Sequence, residues 1–229
     1  MARWGKRGCV TFPHPPAAER AALDLLVAAD PDLARIEATA GPVAWRQRPD
    51  GFEGLLQAIV GQQISSQAAA AIWARLLAVP GALEPAVVVA MDDETLRSAG
   101  LSRPKVAHAR ALAAAFAEGR LAAGALAAMD DEAAIAAIAS VRGMGRWSAE
   151  VYLLFALQRR DVFPAGDLAL AGAAAALKGL PARPGPVALR ALAADWAPWR
   201  GLAARLLWHH WRHLTGRPAF DEVAAPLRR

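Results

Sequence analysis

Alanine- and leucine-rich segments with helical periodicity run through most of this chain, and they constrain its fold more than any other feature. Within residues 51–61 the apolar side chains recur at the spacing of one helix face, and they are Phe52, Leu55, Leu56, Ile59 and Val60. Just before them, Asp50 and Glu53 have the spacing of a capping box. The apolar β-branched run at residues 87–89 is short and isolated, so it does not predict a strand. The sequence therefore predicts an all-α protein.

Composition excludes several classes of protein. Hydrophobic residues make up 55% of the 229, so the chain is too apolar to be disordered and is large enough to bury a core. Charges interrupt every apolar run before the ~18–20 residues that a membrane span needs, and the basic N-terminus lacks the apolar core of a signal peptide. The single cysteine, Cys9, excludes an internal disulfide and a four-cysteine metal or iron–sulfur site. These features together predict a cytoplasmic protein that binds no membrane. The high alanine and arginine content is typical of a GC-rich bacterial genome, so we expect a bacterial protein, associated with the nucleoid through DNA binding.

The segment VRGMGRWSAEV, residues 141–151, joins two helical patterns through a turn with two glycines. Free N–H groups and the dipole at a helix N-terminus attract anions. The formal net charge of +5 favours a polyanion such as nucleic acid, so phosphate is one ligand that Gly143 and Gly145 would admit. The same pattern also fits an ordinary helical hairpin in which glycine serves packing. The turn alone leaves both interpretations open.

The same segment resembles the helix–hairpin–helix motif of the DNA glycosylase superfamily that carries a downstream catalytic aspartate. In that motif a hydrophobic-x-Gly-hydrophobic-Gly turn is followed, after two residues, by Thr or Ser and then Ala. The matching positions are Val141, Gly143, Met144, Gly145, Ser148 and Ala149, and Asp167 follows at the family's spacing in DVFPAGDLAL. Three more segments match in order: FEGLLQAIVGQQISSQAAAAIWARL, SRPKVAHARALAAAF and WAPWRGLAARLLW. The branch that the chain resembles most is DNA-3-methyladenine glycosylase II, which excises alkylated bases.

The resemblance implies a two-lobed helical fold with an active-site cleft between the lobes. A central lobe over residues 45–158 would carry the wedge loop and the hairpin, residues 141–146. Residues 1–44 and 159–229 would form a terminal lobe that carries the aspartate. Only about fifty residues precede the matched region, so we expect the extra N-terminal domain of the longer bacterial glycosylase to be missing.

The resemblance assigns catalysis to Asp167. A 3- or 7-alkylated purine is cationic and leaves its sugar readily, and a carboxylate beside C1′ would stabilise the developing positive charge and orient or deprotonate the attacking water. Local sequence alone equally fits Asp167 as the N-cap of the LALAGAAAALKG helix.

The resemblance also implies a particular enzyme class. Strand-cleaving relatives carry a lysine where Trp147 stands, and without that amine we expect a monofunctional enzyme with no abasic-site lyase activity. Its expected substrates are 3-methyladenine and 7-methylguanine in duplex DNA, removed by base flipping in base excision repair. No cofactor is required for this chemistry, and we expect no iron–sulfur cluster.

The expected base pocket contains Trp147, Val151 and Trp208. Aromatic side chains line this pocket in the family, and an indole face attracts a cationic base by roughly 0.5–2 kcal/mol. Trp208 also fits a core position in the apolar stripe of its own helix. Val151 stands where DNA-3-methyladenine glycosylase II has a tyrosine, which predicts a wider pocket with weaker stacking.

Two further regions are expected to contact DNA. The hairpin residues are Arg142, Gly143, Gly145, Arg146 and Ser148, with Arg142 in place of the family's usual proline. The loop GQQIS resembles the minor-groove wedge that fills the gap left by a flipped base. Gln63 is the first candidate for the plug, ahead of Ile64, with Gln62 alongside; a plain polar connection between helices is the alternative.

The remaining expectations concern two basic residues that would contact phosphate and three backbone carbonyls that would bind a cation. Arg103 and Lys105 are candidates for phosphate contacts, and an ordinary solvated face is the alternative. Family hairpins also hold a monovalent cation on backbone carbonyls, here those of Ala139, Val141 and Met144.

Two other functions fit the sequence. A non-catalytic helix–hairpin–helix module would bind DNA without needing Asp167 or a base pocket. An α-helical interaction protein with a basic surface would show no steep salt dependence of DNA binding. A metal site at His209, His210 and His213 is disfavoured, because no HExxH pattern or obvious third ligand accompanies them. We expect a monomer that binds double-stranded DNA containing alkylated bases.

Overall fold

The computed structural model describes residues 10–216, and the mostly helical architecture predicted from the sequence is confirmed. Its helices are α1 (Ala17–Ala29), α2 (Pro31–Ala40), α3 (Gly51–Gly61), α4 (Ser66–Leu77), α5 (Pro85–Ala90), α6 (Asp93–Ser98), α7 (Arg103–Ala117), α8 (Ala123–Ala128), α9 (Asp131–Ala139), α10 (Arg146–Phe155), α11 (Leu168–Lys178), α12 (Pro186–Leu192) and α13 (Arg200–Leu214). A 3₁₀ turn, Ala193–Trp196, follows α12, and two short strands are β1 (Val10–Phe12) and β2 (Trp45–Gln47). Cys9 lies outside the described residues. Between residues 10 and 216, no helix is both long and apolar enough to cross a membrane.

Residues Arg48–Leu157 form one compact unit, which contains α3 to α10. Helix α3 is central to it and packs against α4, α7, α8 and α10. The whole apolar face predicted for this helix is buried, from Phe52 to Val60. The burial of this face on four neighbouring helices explains why its periodicity was so clear in the sequence.

Residues 10–47 and 158–216 form a second compact unit. Its helix α13 packs against α1, α2 and α11, and the run Gly201–Leu207 is buried. In the same unit β1 pairs antiparallel with β2, with Thr11 opposite Arg46. The Arg205 guanidinium of α13 lies 3.9 Å from the centroid of the Trp45 ring and donates to the Arg46 carbonyl at 2.9 Å. Residues Trp45–Gln47, which the sequence prediction placed in the central lobe, therefore pair within the second unit.

The structure corrects several local predictions. The strands were missed because three-residue strands carry almost no alternation. The capping box at α3 is also wrong. Asp50 is the N-cap residue but its side chain accepts no N–H of the helix, whereas the N–H of Gly51 donates to the Tyr152 hydroxyl at 2.7 Å. The hydrogen bond described at this helix start is thus a tertiary one, to the first N–H of α3, and not a local side-chain cap.

Candidate functional site

The turn between α9 and α10 needs its first glycine for the fold. Gly143 has φ +88°, and a Cβ at this position would lie 2.2 Å from the ring of His108 on α7. The turn is closed by the N–H of Met144, which donates to the Val141 carbonyl at 2.9 Å, and the Met144 side chain is buried. Any side chain at residue 143 would therefore strain the backbone and collide with His108.

The second glycine of the turn has no such role. Gly145 is the exposed N-cap residue of α10, with φ −104° and ψ 173°, an extended conformation that any residue adopts. A Cβ there would meet no heavy atom within 4 Å. The absence of a side chain at residue 145 leaves the helix N-terminus open to a ligand from outside, which is the arrangement that admits an anion.

Two of the hairpin residues predicted to contact DNA make contacts within the protein or are buried. The Arg146 guanidinium donates to Glu132 and to the buried Glu150, each at 2.9 Å, and the Glu132 carboxylate raises the pKa of Arg146. Ser148 is only 5% exposed, so it lies inside the unit and not on the hairpin surface. Arg142, in contrast, is exposed at the turn. Of the carbonyls expected to hold a cation, that of Val141 accepts the turn-closing bond described above.

The loop after α3 is fastened to the hairpin. The Gln62 side chain donates through Nε2 to the carbonyl of Gly143 at 2.9 Å. The Lys105 ammonium donates to the carbonyl of Val60 at 2.7 Å, and burial lowers the pKa of this lysine. Gln62 and Lys105 therefore hold the loop in place, and the expected contact of Lys105 with phosphate stays a prediction.

The remaining loop and phosphate candidates are exposed. Gln63 has φ +57° and an exposed side chain, and Ile64 is 38% exposed. Arg103 is exposed at the first residue of α7. Gln63 and Ile64 thus project from a loop whose base is anchored by its neighbours.

A pocket of about 330 Å³ in the first unit brings part of the predicted base pocket together with the loop. Its volume falls in the range of small-molecule sites, about 300–1,000 Å³. It is lined by Arg48, Gln57, Ala58, Gly61, Gln62, Gln63, Trp147, Ser148 and Val151. The Trp147 side chain is 43% exposed, whereas Val151, one helical turn later, is buried. The sequence analysis missed Arg48 and Gln57, because no motif marks either residue.

Tyr152 does not line this pocket. It is 2% exposed, and burial raises the pKa of its hydroxyl to about 12. Since that hydroxyl accepts the N–H of Gly51, Tyr152 fixes the start of α3 relative to α10.

Asp167 lies in the second unit, at the N-terminus of α11. Its Oδ1 accepts the N–H groups of Ala169 at 2.8 Å and Leu170 at 2.9 Å, so it is the N-cap that local sequence indicated. The same oxygen accepts the indole N–H of Trp208 at 3.2 Å. The half-buried Trp208 ring is thus tied to this carboxylate, and three donors fix the orientation of the Asp167 side chain.

The histidines of α13 also have local contacts. A ring nitrogen of His209 lies 3.0 Å from the Gly41 carbonyl oxygen. Burial lowers the pKa of His210, and the nearby charges of His213 and His209 act in the same direction.

Comparison with known proteins gives consistent results over most of the chain. A sequence profile described as HhH-GPD superfamily base excision DNA repair protein matches residues 56–198. The DNA-3-methyladenine glycosylase 1 of Schizosaccharomyces pombe is 31% identical over 166 residues, which cover 71% of this chain and 73% of that protein. A solved structure of an S. pombe 3-methyladenine DNA glycosylase in complex with abasic DNA superposes with a TM-score of 0.73 at 28% identity, over 85% of this chain and 97% of that one. The DNA-3-methyladenine glycosidase of Bacillus halodurans gives a TM-score of 0.73 at 28% identity, over 90% and 94% of the two chains.

Proposed function

Because this chain belongs to the HhH-GPD superfamily of base excision DNA repair proteins, we propose that it is a monofunctional glycosylase that excises alkylated bases from duplex DNA. Its homologues include DNA-3-methyladenine glycosylases from yeasts and bacteria. The proposed substrates are accordingly 3-methyladenine and 7-methylguanine. Both are cationic purines in DNA, and each would have to leave the base stack before a protein group reached its glycosidic bond.

The observation that carries this proposal is the environment of Asp167. As the bond to the alkylated base breaks, its electron pair leaves with the base and positive charge develops on the deoxyribose. A carboxylate lowers the energy of that charge and orients the water that adds to C1′, accepting its proton in the same step. The bonds from Ala169, Leu170 and Trp208 support this role, because they hold the carboxylate in one orientation before the substrate arrives.

The pocket beside Trp147 is the proposed receptor for the extruded base. The partly exposed indole offers a π-face to a cationic purine, an attraction of roughly 0.5–2 kcal/mol. Val151 adds apolar surface with no hydrogen-bonding group. Gln63 and Ile64 are the proposed side chains that fill the gap in the duplex, since both project from the anchored loop.

Strand cleavage and cofactors are not part of the proposal. A lyase needs an amine at the sugar to form a Schiff base, and Trp147 supplies none. Hydrolysis of a cationic purine nucleoside needs no metal or redox group. The carbonyls of Ala139, Val141 and Met144 remain the proposed ligands of a monovalent cation that would support the hairpin, outside the chemistry.

The proposed activity is tested by incubating the protein with methylated duplex DNA and separating the released bases by chromatography. We expect free 3-methyladenine and 7-methylguanine, with the DNA strand left intact at the abasic site. Borohydride added during the reaction is expected to trap no protein–DNA adduct. Release of no base by a folded, DNA-binding protein would exclude the proposal.

One observation favours a second function. The capping bonds of Asp167 give this residue a structural role that requires no catalysis. A non-catalytic DNA-binding module with the same hairpin would bind abasic and methylated duplexes alike and would release no base from either.

A further inference from the structure

The wall of the pocket carries a polar group that the proposed mechanism does not use. Gln57 lies near the middle of α3 and lines the pocket together with Trp147 and Val151. Its Oε1 is enclosed and accepts no hydrogen bond from residues 10–216. Most buried polar atoms in folded proteins are paired, so an unpaired one at a pocket wall calls for a functional explanation.

Packing alone does not account for a glutamine at this position. Gln57 itself is half-buried, but its Oε1 is enclosed beside the buried apolar residues Leu56 and Ile59 of α3, and an enclosed oxygen is seldom left without a hydrogen bond. An apolar side chain of the same length would fill the space without leaving an unpaired oxygen. The amide therefore imposes a cost on the free protein that a bound ligand with an N–H group would remove.

The pocket is also lined by Gln62, Gln63 and Ser148, whose side chains carry acceptor oxygens, but the oxygen of Gln57 is the one among these that is enclosed and left without a partner in residues 10–216. Two further groups, Arg48 and Trp147, cannot accept an N–H at all. Arg48 carries only donors, and the indole of Trp147 donates through one N–H and accepts nothing. Stacking on Trp147 acts on the face of a purine and is insensitive to the groups at its edge. An enclosed amide oxygen complements the exocyclic amino groups that purines carry at their edges.

We propose that Gln57 is a specificity-determining residue, whose side-chain oxygen accepts a hydrogen bond from an exocyclic amino group of the extruded purine. The inference rests on the proposed glycosylase function. A site built to pair such a group rejects bases that lack it, because the protein oxygen then stays buried and unpaired. Trp147 would select for the cationic face, and Gln57 for the amino-bearing edge.

The test compares the wild type with Gln57→Met, which keeps the length of the side chain and removes its amide. Gln67→Met, at an exposed position on α4 outside the pocket, is the matched control. The probes are duplexes methylated to contain 3-methyladenine, 7-methylguanine or 7-methylhypoxanthine, the last of which has no exocyclic amino group. Ratios of single-turnover release rates cancel any general loss of activity.

We expect the wild type to favour the two amino-bearing bases. In Gln57→Met at least one of their rate ratios to 7-methylhypoxanthine falls about tenfold, the scale of one buried hydrogen bond, and Gln67→Met leaves both ratios unchanged. The midpoint of thermal unfolding of Gln57→Met is expected to stay equal or rise, since an unpaired polar group has been removed.

The outcomes separate this inference from the proposed function. Unchanged ratios in Gln57→Met, or a marked loss of its thermal stability, would overturn the role of Gln57 while base release by the wild type still supported a glycosylase. A wild type that released none of the three bases would remove both proposals together.

Discussion

Asp167 has one observed role, capping α11, and one proposed role, catalysis, and the two roles require different properties of its side chain. Capping α11 requires an oxygen that accepts the N–H groups of Ala169 and Leu170, and an amide oxygen serves as well as a carboxylate. Stabilising a cationic sugar requires a negative charge. Removing the charge while keeping the oxygen therefore separates the structural role from the catalytic one.

We expect Asp167→Asn to lower base release by about 10²-fold or more, the scale of losing such electrostatic stabilisation. Its thermal stability and its affinity for abasic-site DNA are expected to stay close to those of the wild type, because Asn accepts the same three hydrogen bonds. Release of 3-methyladenine is measured in single turnovers. Asp92→Asn, at another helix cap, is the control and is expected to retain full activity. An Asn variant that excised 3-methyladenine at the wild-type rate would assign Asp167 to capping alone.

Residues within a local motif could be assigned from the sequence, and residues brought in by packing could not. Gly143 and Asp167 occupy fixed places in short sequence patterns, so both residues could be identified from the sequence without knowledge of the fold. Arg48 and Gln57 line the same pocket as Trp147 because α3 packs against α10. No spacing of residues in the sequence predicts that these side chains share a pocket. The bond of Lys105 could not be predicted for the same reason, since its partner is a backbone carbonyl 45 residues earlier in the chain.

At the scale of elements, the two glycines of the hairpin have different roles. Gly143 is required by its positive φ and by the His108 ring, whereas Gly145 is required by neither. Phosphates carry no direct sequence information, so an open helix N-terminus at Gly145 would contribute affinity and not base choice.

Gly145→Val is therefore expected to fold normally and to bind every duplex about tenfold or more weakly, the scale of losing a hydrogen bond to a charged group. Affinities for undamaged and abasic duplexes should fall by the same factor, which fluorescence anisotropy can measure. Gly124→Val, at an exposed glycine of α8 with equally open space, serves as the control. Unchanged affinity in folded Gly145→Val would show that the hairpin does not approach DNA there.

Glu53, at the start of α3, is expected to make the stability of the protein depend on pH. Burial raises the pKa of Glu53 above its ordinary value of 4.5, and the nearby charge of Asp50 adds a smaller increase. The Oε1 atom of Glu53 has no hydrogen-bond partner among residues 10–216. The folded state then binds more protons than the unfolded state, so the free energy of unfolding falls as pH rises from 4.5 through the higher folded value. Glu53→Gln should raise the free energy of unfolding at pH 7, and the gain should shrink towards pH 4, where both states of the wild type hold the proton.

Denaturant titrations of the two proteins at both pH values provide the measurement. Glu94→Gln, at an exposed position on α6, controls for the general loss of one acidic residue. A gain at pH 4 as large as that at pH 7 would contradict the assignment to Glu53.

Element prediction succeeded where an apolar face repeats over several turns and failed where it does not. Helix α3 shows the first case, since its whole apolar face is buried against neighbouring helices. Strand β2 shows the second, because its three residues are fixed by pairing with β1 and by the Arg205 contact to Trp45. Such contacts join residues far apart in the chain, so the local sequence pattern does not predict them.

For the whole molecule, the count of 26 lysine and arginine residues overstates the basic surface available to DNA, because several of them are paired with carboxylates. Arg20, Arg110 and Arg200 are held in ion pairs with nearby carboxylates. Arg146 is paired twice, and Lys105 is engaged with backbone. Of the cations expected from the sequence to contact DNA, Arg142, Arg103 and the ion-paired Arg146 are exposed. The electrostatic footprint on DNA should therefore come from a few exposed arginines and from backbone N–H groups, and not from the total count of basic residues.

The salt dependence of DNA binding tests whether a few exposed arginines provide the phosphate contacts. Each phosphate neutralised releases condensed counterions, so the logarithm of the binding constant falls linearly with the logarithm of salt concentration. Arg142→Ala is expected to reduce the magnitude of that slope by about one, the value for one lost phosphate contact. Arg120→Ala, whose guanidinium pairs with Glu118, is the matched loss of one positive charge and should leave the slope unchanged. Equal slopes for the wild type and both variants would mean that Arg142 contacts no phosphate, and a wild type with almost no slope would favour an interaction protein over a DNA-binding enzyme.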